Sequence, residues 1–515
     1  MTVKTLIKTS EYHDSVSLML VAKELTKLAG MVDAAVVMGT EANKSILQQS
    51  GLLTAEAQAA TPNDLVIAVN SADPDAALAE AEKLLSRKAT ADEAGEFRPK
   101  TVRGAVKVRP DANVCIISVA GRYAADEAWE ALKRGLHVLL FSDNVSLEDE
   151  IALKKYARDH GLLLMGPGAG TAILNQVALA FANVIPQGPV GIVSAAGTGL
   201  QEVSTLLAKN GIGITQGIGT GGRDLKKDVG GIMFLEGLKA LQEDPQTKVI
   251  VLVSKPPAKE VADQVLAQVK LSSKPTVVCL LGADVSGMVV PVNVYPVSTL
   301  EEAGLLGAKL AGANIPEPRQ SIAAVTAELQ KQAVDLRKLL KPGQKYLRAL
   351  FSGGTLCYEA QVIWRDLIKS PVYSNAPLSH DEQMKDSTRS EQNCTVDLGE
   401  EEFTVGRPHP MIDNDLRIRR MLQEARDPEV AVLMLDVVIG YGAHADPAAE
   451  LGPAIQQCRQ IAARDGRELI VVTSVTGTET DPQGLTRTAT MLRSSGAIVL
   501  NSNAAAARLV GMIVG

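Results

Sequence analysis

Two stretches of the chain share one form. Residues 188–203, GPVGIVSAAGTGLQEV, run from an apolar strand through a small-residue turn into a helix, and residues 346–360, YLRALFSGGTLCYEA, do the same. The likeness continues in order around them. Glu202 stands four residues after Thr198, and Glu359 four after Thr355. Gly222-Arg223 lies 21 residues before Asp244-Pro245, and Gly406-Arg407 lies 20 before Asp427-Pro428. An apolar strand, KVIVLV or VAVLML, follows each Asp-Pro. The main difference is extra chain in the second copy, around SPVYSNAPLSHDEQMKDSTRSEQ. Landmarks repeated in this order read as an internal duplication of one α/β unit.

The rest of the chain keeps the alternation. Strand-like runs at Ala34–Met38, Asp64–Val69, Val114–Val119, His137–Phe141 and Leu162–Met165 alternate with helix-like segments at Ser17–Leu28, Asp75–Ser86, Ala124–Arg134 and Leu147–His160. Alternating elements predict parallel sheets covered by helices. The expected fold class is α/β, with three doubly wound parallel-sheet domains of Rossmann or flavodoxin-like form. The boundaries predicted are a Rossmann domain at 1–185, a first duplicated unit at 186–316, a helical linker at 317–345 and a second unit at 346–515. Residues 87–104, RKATADEAGEFRPKTVRG, read as a charged, exposed excursion. Aromatic content of only 3% beside 46% hydrophobic residues suits this class.

Net charge is −7, and no basic stripe interleaved with aromatics is present, which argues against a nucleic-acid partner. The five cysteines, Cys115, Cys279, Cys357, Cys394 and Cys458, are scattered and form no CxxC pair. They read as reduced thiols in a cytoplasmic protein. The N-terminal stretch MTVKTLIKTSEYHDS has no apolar signal core, and no run approaches the roughly 20 apolar residues of a membrane helix. No residue cluster has zinc-ligand spacing, so no metal is expected.

The two turns carry the chemistry. A turn that ends a parallel strand and opens a helix leaves the first backbone N–H groups without acceptors, and the helix dipole adds about half a positive charge. A phosphate fits there without Lys or Arg. Glycine lets the ligand approach the backbone. The expected phosphate binders are Ser194, Gly197, Thr198 and Gly199 in the first copy, and Ser352, Gly353, Gly354 and Thr355 in the second. Thr198-x-x-Gln201 reads as a possible capping box, and Ser352 or Thr355 could cap the second helix. The plain alternative is a tight turn that binds nothing. Duplication supplies a reason for two: helix ends packed about a pseudo-twofold axis can hold one doubly charged group between them.

These residues carry a resemblance. GPVGIVSAAGTGLQEVSTLLAKNGIGITQGIGTGGRD with LKALQEDPQTKVIVLVSKPP resembles the second domain of the succinyl-CoA synthetase α subunit. Residues 346–515 are similar to the C-terminal domain of its β subunit, and 112–175 to the later part of its CoA-binding domain. With DSVSLML and GTEANK near the N-terminus, the order of parts resembles the FdrA family. The resemblance implies that the two helices meet at a phosphate. It departs from the synthetases at their phosphohistidine segment, which reads GADVSGMVVPVNVYPVSTLEEAG here, with no His. The supporting Glu is replaced by Lys255, a substrate-binding candidate that attracts phosphate. The Gly-rich CoA loop, an ATP-grasp domain and a GxxxxGK[ST] loop are absent from the pattern.

The resemblance to FdrA further implies an oxamate carbamoyltransferase subunit of allantoin breakdown, acting with other subunits as a homo- or hetero-oligomer. The expected reaction is oxalurate plus phosphate giving oxamate and carbamoyl phosphate, with no cofactor required. Two alternatives stand beside it: an acyl-CoA synthetase using acyl phosphate and CoA, and a non-catalytic scaffold subunit. Candidate catalytic residues are Arg223 and Arg407, whose forks suit phosphate or carboxylate, His409 and His444 as donors or acids, and Asp436, a carboxylate inside an apolar strand. Surface ion pairing for the arginines, and loop packing for the histidines, are the competing roles. His13 and His137 read as structural, and His160 as lying at a helix end. DSTRSEQ (386–392) and His409-Pro410 are similar to phosphate-binding motifs of aspartate and ornithine carbamoyltransferases, but their surroundings do not match, and the likeness reads as chance.

Overall fold

Strands buried on both faces are apolar at nearly every position, because helices cover both sides of a parallel sheet. The central strands of the duplicated regions obey this rule: VIVLVS, VAVLMLDVV and IVVTSVT are buried throughout. The fold is described from a computed structural model, which covers residues 2–515 except 12–14, 27, 41–42, 45–46, 49, 93–98, 284–289 and 405–407. The chain divides into two compact units, Met1–Thr101 with Glu400–His409, and Val102–Gly399 with Pro410–Gly515.

In the first unit, β1 (Thr2–Lys8), β2 (Met31–Met38) and β3 (Leu65–Ser71) form a sheet of order β1-β3-β2, antiparallel at both pairings. Helices α1 (Ser15–Thr26) and α2 (Pro74–Asp92) cover one face through Leu18, Leu25, Leu78 and Leu85. The expectation of one parallel Rossmann sheet over 1–185 is therefore corrected. The strands at 34–38 and 64–69 exist, but β3 runs antiparallel to β2 as well as to β1. The excursion expected at 87–104 is helical in part, since α2 runs to Asp92.

The second unit opens with α3 (Val102–Val108), β4 (Val114–Ile117), α4 (Gly121–Leu132), β5 (His137–Leu140), α5 (Leu147–Asp159) and β6 (Leu164–Met165). The three strands form their own parallel sheet, β4-β5-β6. A hairpin of β7 (Thr171–Leu174) and β8 (Val177–Ala180) then joins the next sheet, so the first duplicated region begins before residue 186. That region continues with β9 (Gln187–Ser194), α6 (Gly197–Lys209), β10 (Ile214–Gly219), α7 (Ile232–Glu243), β11 (Val249–Ser254), α8 (Lys259–Val269), β12 (Thr276–Leu280), β13 (Val294–Val297) and α9 (Leu300–Leu310). The expected linker is α10 (Pro318–Arg337).

The second region contains β14 (Tyr346–Phe351), α11 (Gly354–Leu367), β15 (Val372–Ser374), β16 (Asn393–Asp397), α12 (Asp415–Glu424), β17 (Val430–Val438), α13 (Pro447–Arg464), β18 (Ile470–Thr476), α14 (Leu485–Ser494), β19 (Ile498–Leu500) and α15 (Asn503–Val514). The two sheets have orders β13-β12-β11-β9-β10-β7-β8 and β15-β16-β14-β17-β18-β19. Stripped of the hairpin and of β15, both read 2-1-3-4-5, with all neighbours parallel. The duplication seen in the sequence is a duplication of topology. In this order, ligands lie at the strand C-termini beside strand 1. Strand 1 is β9 in one copy and β14 in the other, and each leads into one of the two turns.

Candidate active site: two helix ends that meet

Each turn is built by its own repeat. After β9, the Ala195 N–H donates to the Val253 carbonyl at 3.0 Å, and the Ala196 N–H to Ser194 Oγ at 3.1 Å. Helix α6 then begins at Gly197 with no side-chain cap, and its first closed bond is Leu200 N–H to Ala196 C=O. The amides of Gly197, Thr198 and Gly199 thus have no intrahelical acceptor. Helix α11 begins at Gly354, again with no side-chain cap, and closes from Cys357 to Gly353. The amides of Gly354, Thr355 and Leu356 are left in the same state.

The two ends face each other at contact distance. A Cβ placed on Gly353 would lie 2.8 Å from Thr198 Cγ2, and one on Gly199 would lie 3.0 Å from Thr355 Cγ2. A side chain at Gly353 would force Thr198 to shift, and one at Gly199 would crowd Thr355. Thr198 and Thr355 are only 7% and 5% exposed. Neither hydroxyl has a hydrogen-bond partner among the described residues. The capping roles expected of Thr198, Ser352 and Thr355 are corrected. Each helix begins two residues earlier than a threonine cap would set it, at Gly197 and Gly354, so both threonines sit inside the first turn, while Gln201 Nε2 donates to Asn183 Oδ1.

The halves are not electrostatically alike. The carboxylate of Asp436, on β17, accepts the N–H groups of Ser352 and Gly353 at 2.7 and 2.8 Å, and Ser352 Oγ lies 3.0 Å from both of its oxygens. Arg417 Nη1 pairs with the same carboxylate at 3.0 Å. Burial pushes the Arg417 guanidinium below its usual range, and Asp436 opposes that shift. Asp436 therefore shapes the second turn, and no substrate access follows from its position. Asp397, at the end of β16, lies against Gly354 where a side chain would point. On the first side, Lys255 follows β11, and its Nζ stands 5.4 Å from the Tyr358 ring centre on α11, a cation–π distance. Lys255 thus brings a positive charge from the first repeat to the side of α11, whose turn carries the Asp397 and Asp436 carboxylates.

Other candidates lie elsewhere. Arg223 Nε pairs with Glu150 at 2.8 Å and Nη2 donates to the Val145 carbonyl. It belongs to a buried network in which Lys154 bonds Glu150, Asp224 and the Thr220 carbonyl. His444 Nε2 lies 3.1 Å from Glu450, while its Nδ1 accepts from the Asp446 N–H. Arg407 lies outside the described residues, and His409 is half-buried in the first unit. His137 Nδ1 accepts from the Leu163 N–H, a structural role as expected, and His160, at the C-terminal end of α5 as expected, stacks on Tyr156. The DSTRSEQ loop is held by α12, where Arg420 donates to Ser387 and Ser390. Sequence reasoning missed Asp397 and Arg417. Only the strand-terminal position of Asp397 in CTVDLG could have signalled it.

The CoA-ligase profile matches residues 350–513, the CoA binding domain 186–282, and a profile described as AllF, heavy metal-associated domain, residues 1–100. The uncharacterized protein YahF of Escherichia coli (strain K12) is 43% identical over 509 residues, covering 98% of this chain and 97% of that protein. The chain belongs to the FdrA family of the succinyl-CoA synthetase-like superfamily. A succinate–CoA ligase [ADP-forming] subunit alpha 1 of Archaeoglobus fulgidus is 32% identical over 188 residues, covering 35% of this chain and 62% of that subunit. The dinucleotide forming acetyl-coenzyme A synthetase 1 of Ca. Korarchaeum cryptofilum, solved with phosphate and ADP, aligns at 15% identity and TM-score 0.30 over 82% of this chain and 85% of that one.

The N-terminal profile is named for a heavy metal. No cysteine precedes Cys115. Among the described residues no three His, Cys, Asp or Glu side chains gather as ligands, and His13 lies outside them. Among the described residues no helix is long and apolar enough to cross a membrane.

Proposed function

We propose that the FdrA-type chain binds phosphate between α6 and α11 and uses it in carbamoyl transfer. The observation that carries this reading is the pair of unbonded threonine hydroxyls, Thr198 and Thr355, on helix ends that touch. The three first-turn amides of α6 and the Lys255 charge supply the attraction for an anion, against the Asp397 and Asp436 carboxylates beside the second turn. The synthetase-like fold is that of acid–thiol ligases, but the segment that would carry a phosphohistidine has no His. Phosphate would then act directly. A phosphate oxygen attacks the carbamoyl carbon of oxalurate, a C–O bond forms and the C–N bond breaks. The proton of hydrogen phosphate passes to the departing nitrogen, leaving oxamate and carbamoyl phosphate. The chain's part is to hold the nucleophile in line.

The matches to CoA-binding and CoA-ligase families favour a second reading, thioester formation from an acyl phosphate and CoA. One assay separates them. The full chain, alone and with candidate partner subunits, is given oxalurate and phosphate, and separately CoA with acyl phosphate. Carbamoyl phosphate in the first arm supports carbamoyl transfer. Thioester in the second arm alone replaces it, and product in neither arm leaves a scaffold role.

A further inference from the structure

The glutamates four residues after each turn threonine make no contact with the proposed phosphate cradle, yet both are buried and both serve the opposite repeat. Glu202, on α6, accepts the Asn503 N–H at 3.0 Å and the Thr476 hydroxyl. Asn503 is the first residue of α15, in the second repeat. Glu359, on α11, accepts the Leu300 N–H at 2.7 Å and Asn503 Nδ2 at 2.8 Å. Leu300 is the first residue of α9, in the first repeat. Asn503 Nδ2 also donates to the Leu356 carbonyl, in the first turn of α11. Each capped helix already has a local cap, Thr299 or Ser502, bonded to its third residue. The amide left over at each first position is taken by the other repeat.

We propose that Glu202, Glu359 and Asn503 are positioning residues that clasp the two repeats and set the gap between the facing turns. The geometry allows little else. Each glutamate lies about 6 Å along its helix from the turn threonine. Each is held by two donors from other elements, so neither helix can slide along its axis without breaking a buried hydrogen bond and leaving its partner unsatisfied. Asn503 is fully buried and touches both carboxylates, so displacement of one helix is passed to the other. The functional consequence rests on the phosphate reading; the clasp itself does not.

The test uses the full chain, hydrogen exchange and titration with inorganic phosphate followed by thermal shift. Glu202→Ala and Glu359→Ala are expected to speed exchange at the first turns of α15 and α9 respectively. Both are also expected to speed exchange at residues 196–200 and 353–357, and to weaken phosphate at least tenfold. Glu202→Gln should restore wild-type behaviour, because its carbonyl still accepts the Asn503 N–H and its amide can donate to Thr476. Glu424→Gln, which loosens the Arg348 and Arg420 pairs inside one repeat, is the control that lowers stability without changing exchange at the turns. Faster exchange confined to the capped helices, or unchanged exchange at both turns, overturns the clasp. A wild-type chain that does not respond to phosphate defeats the proposed function instead, and the exchange comparison still decides the clasp.

Discussion

At the scale of single residues, two glycines and two threonines carry most of the meaning. Gly353→Ala places a methyl group against Thr198, which overpacks a buried contact at a cost of about 1–3 kcal/mol. The expected result is a lower thermal midpoint together with loss of the phosphate-induced shift, read in one melting series with and without phosphate. Thr198→Val and Thr355→Val should behave differently. Their hydroxyls have no partner among the described residues, so unfolding in urea should change little. A hydrogen bond to a charged group is worth about 1.5–3 kcal/mol, so each substitution should weaken phosphate roughly tenfold or more. Unaltered affinity in both variants would remove the threonines from the site.

Among elements, the second turn depends on a buried carboxylate from the neighbouring strand. Asp436→Asn leaves Arg417 charged and unpaired in the core, a loss of about 3–5 kcal/mol, measurable as a drop in the urea midpoint. Helix α11 also brings a titrating group. Burial raises the Glu359 carboxyl to about 8, with Asn503 opposing and Glu202 adding to the shift. The folded state therefore holds this proton more tightly than the unfolded chain does. Its contribution to stability is complete below the ordinary carboxylate range and is lost as pH rises through about 8. Stability between pH 6 and 9 should fall in the wild type, with a shallower slope in Glu359→Gln. Equal slopes would show that the carboxyl titrates in its ordinary range.

At the scale of the whole molecule, the second unit is several sheets joined by buried polar ties as well as by apolar packing. Lys154, on α5, is fully buried and reaches Glu150, Asp224 and the Thr220 carbonyl, tying the β4-β5-β6 part to the first repeat. Lys154→Met leaves Asp224 without a counter-ion in the interior, while Glu150 keeps Arg223. Faster proteolysis within residues 102–170 is expected before the repeats unfold, and simultaneous loss of both would show that they fold as one cooperative body. The boundaries inferred from the sequence fared unevenly for a related reason. Periodicity marks a strand but carries no sign of direction, so the antiparallel pairing of β1 and β3 was not legible. The hairpin at 171–180 was missed because its two-residue turn, Asn175-Gln176, adopts positive φ without the glycine that usually marks such a turn.

The sequence by itself determined the duplication, the strand-to-helix turns and the free amides that follow from them, since local pattern and helix geometry suffice for these. It also marked Glu202 and Glu359 as equivalent positions without revealing their purpose. Only the tertiary structure decided that the two turns touch, that Asp436 fills one of them, that Arg223 is engaged with Glu150, and that each glutamate caps a helix of the other repeat. The reason is physical: a buried polar group must find its partner wherever the packed chain brings one, and residues such as 202 and 503 meet only after both repeats have folded and docked.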